Sequence, residues 1–106
     1  MNLTLEHILK QLKQDLKQLY GDQLINITLF GSQARGDQKP DSDIDVLVVL
    51  KSLVNPGTEI KRTGKIVAAL SLEYDQVITC LFMDELQYKT RNTSLLRNIR
   101  KEGILL

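Results

Sequence analysis

Apolar and polar residues follow two different periods along the chain, and these periods separate predicted helices from predicted strands. In the first twenty residues, leucine and isoleucine recur every three or four positions among lysine, glutamine and aspartate. This spacing predicts an amphipathic helix that ends near Gly21. Continuous runs of β-branched and other apolar residues, bounded by turn-forming residues, predict strands instead. We expect three strands, at 24–30, 43–50 and 74–83.

Capping residues predict helices between and after these strands. Asn55 or Thr58 is expected to cap a helix that runs to about Leu72, with Pro56 in its first turn. Its apolar side is expected to include Ile60, Val67 and Leu70. Asp84 is expected to cap one short helix and Ser94 another, which stops at Gly103.

This order of elements predicts an α/β or α+β fold, with a small central mixed sheet of about three strands flanked by helices. A chain of 106 residues fits one domain, so we expect residues 1–106 to share one core. Three strands are few for an independent sheet. We therefore expect either a protein partner or self-association into a homo-oligomer, with the apolar tail at 104–106 packing on the core or on that partner.

Composition and charge exclude several classes of protein. The chain is 42% hydrophobic and 25% charged, as in an ordinary globular protein, and no segment resembles a signal peptide or a membrane span. The formal net charge of +1 gives no electrostatic basis for general nucleic-acid binding. The single cysteine, Cys80, excludes an internal disulfide and a cysteine-based zinc site. We therefore expect a reducing, cytoplasmic location.

The stretch LFGSQARGDQKPDSDIDVLVVL, residues 29–50, carries the candidate chemistry. Gly31 and Ser32 directly follow a predicted strand, where small residues let backbone N–H groups approach an anion and the serine hydroxyl adds a hydrogen bond. Gly-Ser is also common in ordinary tight turns, so this pair taken alone favours a turn. The pair gains weight only in combination with the aspartates that lie ten or so residues further along the chain.

Three aspartates, Asp41, Asp43 and Asp45, alternate where the next apolar strand begins. Residues two apart on a strand point to the same face, with side chains roughly 6 to 7 Å apart, so these like charges repel. Either the strand end is solvated there, or a cation lies between the carboxylates. Hard oxygen ligands of this kind suit Mg²⁺, which takes one or two carboxylates and completes its shell with water and substrate phosphates.

The combined motif GSQARGDQKPDSDIDVLVV resembles the signature of the DNA polymerase β-like nucleotidyltransferase superfamily. The short chain is similar to the minimal nucleotidyltransferase (MNT) branch of that superfamily, whose members are often paired with HEPN-domain proteins. The resemblance implies that Gly31 and Ser32 hold the phosphates of a nucleoside triphosphate. It also implies that Arg35 either contacts phosphate or braces the loop.

The same resemblance implies a two-metal mechanism in which Asp43 and Asp45 bind two Mg²⁺ ions. The third carboxylate of the family lies on the following strand, and Asp75 is the candidate in the right place. Asp84 lies at the far end of that strand, about 30 Å away if the strand is extended. One ion would steady the leaving pyrophosphate, and the other would activate the attacking hydroxyl, with Asp75 serving that second ion.

The resemblance therefore predicts an Mg²⁺-dependent nucleotidyltransferase that moves AMP from ATP onto an acceptor hydroxyl. The implied acceptor is a HEPN-type toxin, which the chain would neutralise as an antitoxin. The alternative is a catalytically idle subunit that binds its partner with the same fold; retention of the repelling pair Asp43 and Asp45 argues against it. Transfer to RNA or to a small molecule such as an aminoglycoside has no support from charge or from an added domain.

Overall fold

A computed structural model of the chain describes residues 2–37, 39 and 42–106, and within them four strands form one mixed sheet with helices on both faces. The elements are α1 (Leu3–Tyr20), a 3-10 turn (Gly21–Gln23), β1 (Leu24–Phe30), α2 (Ser32–Arg35), β2 (Ile44–Leu50), α3 (Pro56–Tyr74), β3 (Ile78–Asp84), α4 (Glu85–Thr90), α5 (Ser94–Glu102) and β4 (Ile104–Leu105). The strand order is β3-β2-β1-β4. β1 is antiparallel to β2 and β4, and β2 is parallel to β3.

The two faces of the sheet carry different clusters of apolar residues, because successive side chains of a strand point to opposite faces. On one face, Ile44, Val46 and Val48 of β2 pack with the buried leucines of α1 and with Leu70 of α3. On the other face, Leu47 and Val49 belong to a second cluster, which α5 joins through Leu96 and Ile99. The face that α5 covers is also the face of Asp45, two residues before Leu47.

Side chains cap several helices as the sequence predicts. The Asn55 side chain accepts a hydrogen bond of 3.2 Å from the Thr58 N–H, with Pro56 at the first helical position. The Asp84 side chain accepts one of 2.8 Å from the Gln87 N–H, so it caps α4 as expected. The cap of α5, however, is Thr93 rather than Ser94, which is the first residue of the helix itself.

The third strand begins later than the sequence suggests, which changes the position of Asp75. α3 continues through Tyr74, and Asp75 is its C-cap residue in the left-handed conformation, at φ 52° and ψ 48°. β3 starts only at Ile78. Tyr74 packs against the core as the last turn of α3, and aspartate tolerates the left-handed conformation better than most residues. Asp75 thus ends a helix and does not begin a strand.

Two further expectations need correction. The sheet has a fourth strand, because the apolar tail pairs with β1 through Thr28 with Leu105 and Leu29 with Ile104. A strand of two residues is too short for alternation to reveal it in sequence. On α3, Leu70 is buried as expected, but Ile60 is 56% exposed.

Within the part of the chain that the structure describes, no helix combines the length and the apolar content needed to cross a membrane.

We expect opposite effects on stability from the same substitution at two glycines. An alanine Cβ at Gly103 would collide with the Ile99 carbonyl oxygen and lie 2.6 Å from Thr28 Cγ2, so Gly103→Ala should destabilise the fold by about 1 to 3 kcal/mol. At Gly64, inside α3, no heavy atom of the described residues lies within 4 Å of an added Cβ. Gly64→Ala should therefore stabilise the helix by about 0.5 to 1 kcal/mol. Urea unfolding measures both; effects of the same sign would contradict this packing of α5 against β1.

Candidate functional site

The candidate site lies where β1 ends and β2 begins, since these antiparallel strands place those two ends side by side. Phe30, the last residue of β1, is paired with Asp45 of β2. The next residue, Gly31, lies against the Asp45 side chain: a Cβ built on Gly31 would be 2.5 Å from Asp45 Oδ2. The sheet register therefore brings together two of the residues that the sequence motif predicts.

Gly31 has a backbone conformation that other residues rarely adopt, with φ 74° and ψ −158°. This turn starts α2 at Ser32, and the Gly31 carbonyl oxygen accepts hydrogen bonds from the N–H groups of Ala34 and Arg35, at 3.1 and 3.2 Å. Glycine is needed here both for the positive φ and for the missing side chain, because any Cβ would fill the space beside Asp45. The backbone can thus approach a ligand closely at this point.

The carboxylate of Asp45 lies in a destabilising environment for a negative charge. Asp45 is partly buried, and burial raises its pKa above the ordinary value of 3.8, with a further increase from the neighbouring Asp43 carboxylate. As the pH rises from 3.8 through the higher pKa of the folded state, ionisation of Asp45 therefore lowers the stability of the fold. A proton, or a cation bound between the two carboxylates, would relieve this cost.

The donor set at this end of β2 fits Mg²⁺. Asp43 is exposed and Asp45 partly buried, so one carboxylate faces solvent and the other lines the space next to Gly31. Mg²⁺ usually takes one or two carboxylates from the protein, which leaves the remaining positions to water and to phosphate oxygens. Burial and the Asp43 carboxylate both raise the pKa of Asp45, and no positive charge among the described residues counters them.

Asp75 does not form a group of potential metal ligands with Asp43 and Asp45 in the described part of the chain. Across residues 2–37, 39 and 42–106, no group of three His, Cys, Asp or Glu side chains is close enough to hold one metal ion. Asp75 is exposed at the end of α3, and the β3 residue paired with Asp45 is Thr79. A role for Asp75 as third carboxylate thus stays a prediction. Asp41, the first of the three alternating aspartates, lies outside the described residues.

Arg35 connects the loop to the C-terminal helix. Its Nε lies 3.2 Å from Asp37 Oδ2, and its Nη1 lies 3.8 Å from Glu102 Oε2 on α5. Both partners are carboxylates, so they offset the charge of the guanidinium. The role of Arg35, either to contact phosphate or to brace the loop, stays a prediction.

The sequence motif does not predict that α5 forms one wall of a cleft beside the Gly31 turn. A cleft of about 170 Å³ separates α5 from the Gly31 turn, and its α5 wall consists of Leu95, Asn98, Ile99 and Glu102. The motif gives no hint of these residues, because they lie about sixty positions further along the chain. One signal was available: helical spacing places Leu95, Asn98 and Glu102 along a single face of α5.

A larger cavity, of about 480 Å³, lies away from the carboxylates. Lys13, Lys17 and Ile25 contribute to its walls, and it involves none of the residues that the motif predicts. The smaller cleft at α5, by contrast, shares Phe30 and Gly31 with the surroundings of Asp45.

Comparison with known proteins gives consistent results. The family model described as nucleotidyltransferase domain matches residues 9–106. Protein adenylyltransferase MJ0141 of Methanocaldococcus jannaschii is 34% identical over 97 residues, which cover 92% of this chain and 93% of that protein. The crystal structure of a toxin–antitoxin complex with AMP-PNP contains a chain that aligns with a TM-score of 0.64 and 23% identity, over 94% of this chain and 70% of its own.

A second solved structure contains a tri-AMPylated Shewanella oneidensis HEPN toxin in complex with an MNT antitoxin. One chain of that structure aligns with a TM-score of 0.53 and 17% identity, and the alignment covers 92% of this chain and 70% of the matched chain. At these identities the structural alignments establish the fold alone. The nucleotidyltransferase-like fold expected from the sequence is confirmed.

Because Gly31 lies against the Asp45 side chain, we expect a side chain added at Gly31 to change the pKa of Asp45. Gly31→Ala should push the Asp45 carboxylate toward solvent and lower its pKa toward 3.8, because burial is the main cause of the increase. Gly36→Ala is the matched control, since Gly36 also has a positive φ of 79° but no heavy atom of the described residues within 4 Å of an added Cβ. Titration of the carboxyl ¹³C resonance measures both. An unchanged Asp45 pKa in Gly31→Ala would contradict the contact.

Proposed function

The chain belongs to the nucleotidyltransferase domain family, and from this premise we propose that it transfers AMP from ATP to a hydroxyl group of a HEPN-type toxin and so acts as an antitoxin. The observation that carries the proposal is the pair of carboxylates at the start of β2, with Asp45 held against the backbone of Gly31. The name of the relative MJ0141 supports a protein acceptor and an adenylyl donor. The alignments with toxin–antitoxin complexes support a HEPN partner.

We propose distinct roles for the residues of the site. Asp43 and Asp45 would hold Mg²⁺, which when bound neutralises phosphate charge and lowers the pKa of an attacking hydroxyl. Gly31 would leave room for the triphosphate next to Asp45, and the Ser32 hydroxyl would donate a hydrogen bond to it. Most of the rate enhancement would come from positioning and charge stabilisation, so small displacements of the two carboxylates would be costly.

Asp75 is retained in this proposal as the third carboxylate, which would accept the proton of the acceptor hydroxyl. Asp75→Asn tests the role cleanly, because asparagine also tolerates the left-handed conformation that this helix cap requires. A loss of transfer without a loss of stability would support a chemical role. Unchanged transfer in Asp75→Asn would contradict a chemical role and leave Asp75 as the cap of α3 alone.

One observation favours a second candidate function, a subunit that binds its partner without catalysis. Thr79, and not a carboxylate, is the β3 residue that shares the sheet face and the register position of Asp45. A site with two carboxylates could still bind Mg²⁺ and nucleotide while transferring nothing. Isotope transfer separates this candidate from the enzyme.

The labelling experiment uses Mg²⁺ and ATP labelled at either the α or the γ phosphate, with the chain and any partner that copurifies with it. We expect label on the partner from the α position only, because nucleotidyl transfer keeps the α phosphate and releases pyrophosphate. Label from the γ position would mean phosphoryl transfer and would overturn the proposal. No label from either position, with a partner present, would support the idle subunit.

Variants of Asp43 and Asp45 test the metal assignment in the same assay. Asp43→Asn and Asp45→Asn should each lower the rate of transfer by a factor of about 10² or more, as removal of groups that stabilise transition-state charge commonly does. Asp45→Asn should not lower the melting temperature at pH 7, because it removes a charge whose ionisation costs stability. Asp22→Asn is the matched control, at an exposed residue of the 3-10 turn. Retained activity in either site variant would contradict the metal assignment.

A further inference from the structure

The cleft between the Gly31 turn and α5 has a chemical character that differs from that of the carboxylate pair beside it. We propose that this cleft receives the adenine ring of the nucleotide, and that Asn98 is the residue that distinguishes adenine from guanine. The inference rests on the proposed function and adds to it the means by which the site selects its nucleotide. Position, lining and hydrogen-bonding capacity each support it.

The cleft shares two residues, Phe30 and Gly31, with the surroundings of Asp45. Phe30 and Gly31 form one side of it, and these residues are paired with Asp45 or packed against it. α5 forms the other side and covers the same face of the sheet through Ile99. A nucleotide whose phosphates lie beside Asp45 could therefore extend its base toward α5 without crossing the sheet.

The lining of the cleft suits a neutral ring and not a phosphate group. Its volume of about 170 Å³ is below the usual range for a site that encloses a whole drug-sized ligand, so it can receive one part of a nucleotide. Phe30, Leu95 and Ile99 supply apolar surface for the faces of a ring. The Glu102 carboxylate also lines the cleft and would repel phosphate, while the charge of Arg35 is already offset by Asp37 and Glu102.

Asn98 supplies the polar contact that such a ring needs. An asparagine amide can bond adenine with two hydrogen bonds, its oxygen accepting from the N6 amino group and its nitrogen donating to N7. Guanine presents acceptors at both corresponding atoms, so the amide oxygen would face an acceptor instead of a donor. The side chain of Asn98 has no hydrogen bond to any other described residue and is exposed at the cleft, one turn from both Leu95 and Glu102. It is thus available to a ligand.

Calorimetry tests the inference. It measures the binding of three probes in the presence of Mg²⁺: ATP, GTP and tripolyphosphate. The measurements use the chain alone and in complex with any partner that copurifies. We expect ATP to bind about tenfold more tightly than GTP, the scale of one good bidentate contact to a base. In Asn98→Leu, this ratio should fall to about two or less, with tripolyphosphate affinity unchanged. Asn92→Leu is the matched control, outside the cleft, and should keep the ratio of the unchanged chain.

The outcomes separate this inference from the function on which it rests. Transfer of α label together with an unchanged ATP/GTP ratio in Asn98→Leu would overturn the adenine site and leave the proposed function standing. A loss of tripolyphosphate binding in Asn98→Leu would also overturn it, because Asn98 would then serve the phosphates or the fold. If the unchanged chain and its complex bind neither nucleotide and transfer no label, both proposals fail.

Discussion

The repulsion between Asp43 and Asp45 is the constraint on which the site depends. Burial and the Asp43 charge both raise the pKa of Asp45, so the protein bears a cost in stability to keep a carboxylate there. Among the described residues nothing offsets this cost, since burial and the Asp43 carboxylate both raise the pKa of Asp45. A divalent cation bound between the carboxylates would offset this cost, because its positive charge attracts both carboxylates and the phosphate groups of a substrate.

The rest of the fold fixes where that pair lies and what surrounds it. The register of β1 against β2 places Gly31 beside Asp45, and burial of Val46 and Leu47 on opposite faces prevents a shift by one residue. α5 covers the same face of the sheet, and the short strand β4 anchors the end of that helix to β1. The small C-terminal elements thus complete a second wall, which turns an exposed strand end into a cleft.

Local patterns in the sequence predict the parts of the structure that depend on neighbouring residues. The bounds of β1 follow from an apolar run between glycines, and the aspartate pair from alternation along one strand. The end of α3 could not be predicted in the same way, because Asp75 and the residues beside it fit a helix cap as well as a strand start. The proposed role of Asn98 depends on how α5 packs against the Gly31 turn, which lies more than sixty residues earlier in the chain, and no local sequence pattern encodes such a contact.

The most direct test of the central claim is a crystal structure of the chain, or of its complex with a partner, with Mn²⁺ and an ATP analogue whose α–β bridge cannot be cleaved. Anomalous scattering locates the manganese independently of the protein atoms. We predict manganese bound by the carboxylates of both Asp43 and Asp45, with the triphosphate beside Gly31. Manganese and triphosphate bound elsewhere, with these two carboxylates contacting only water, would contradict the claim.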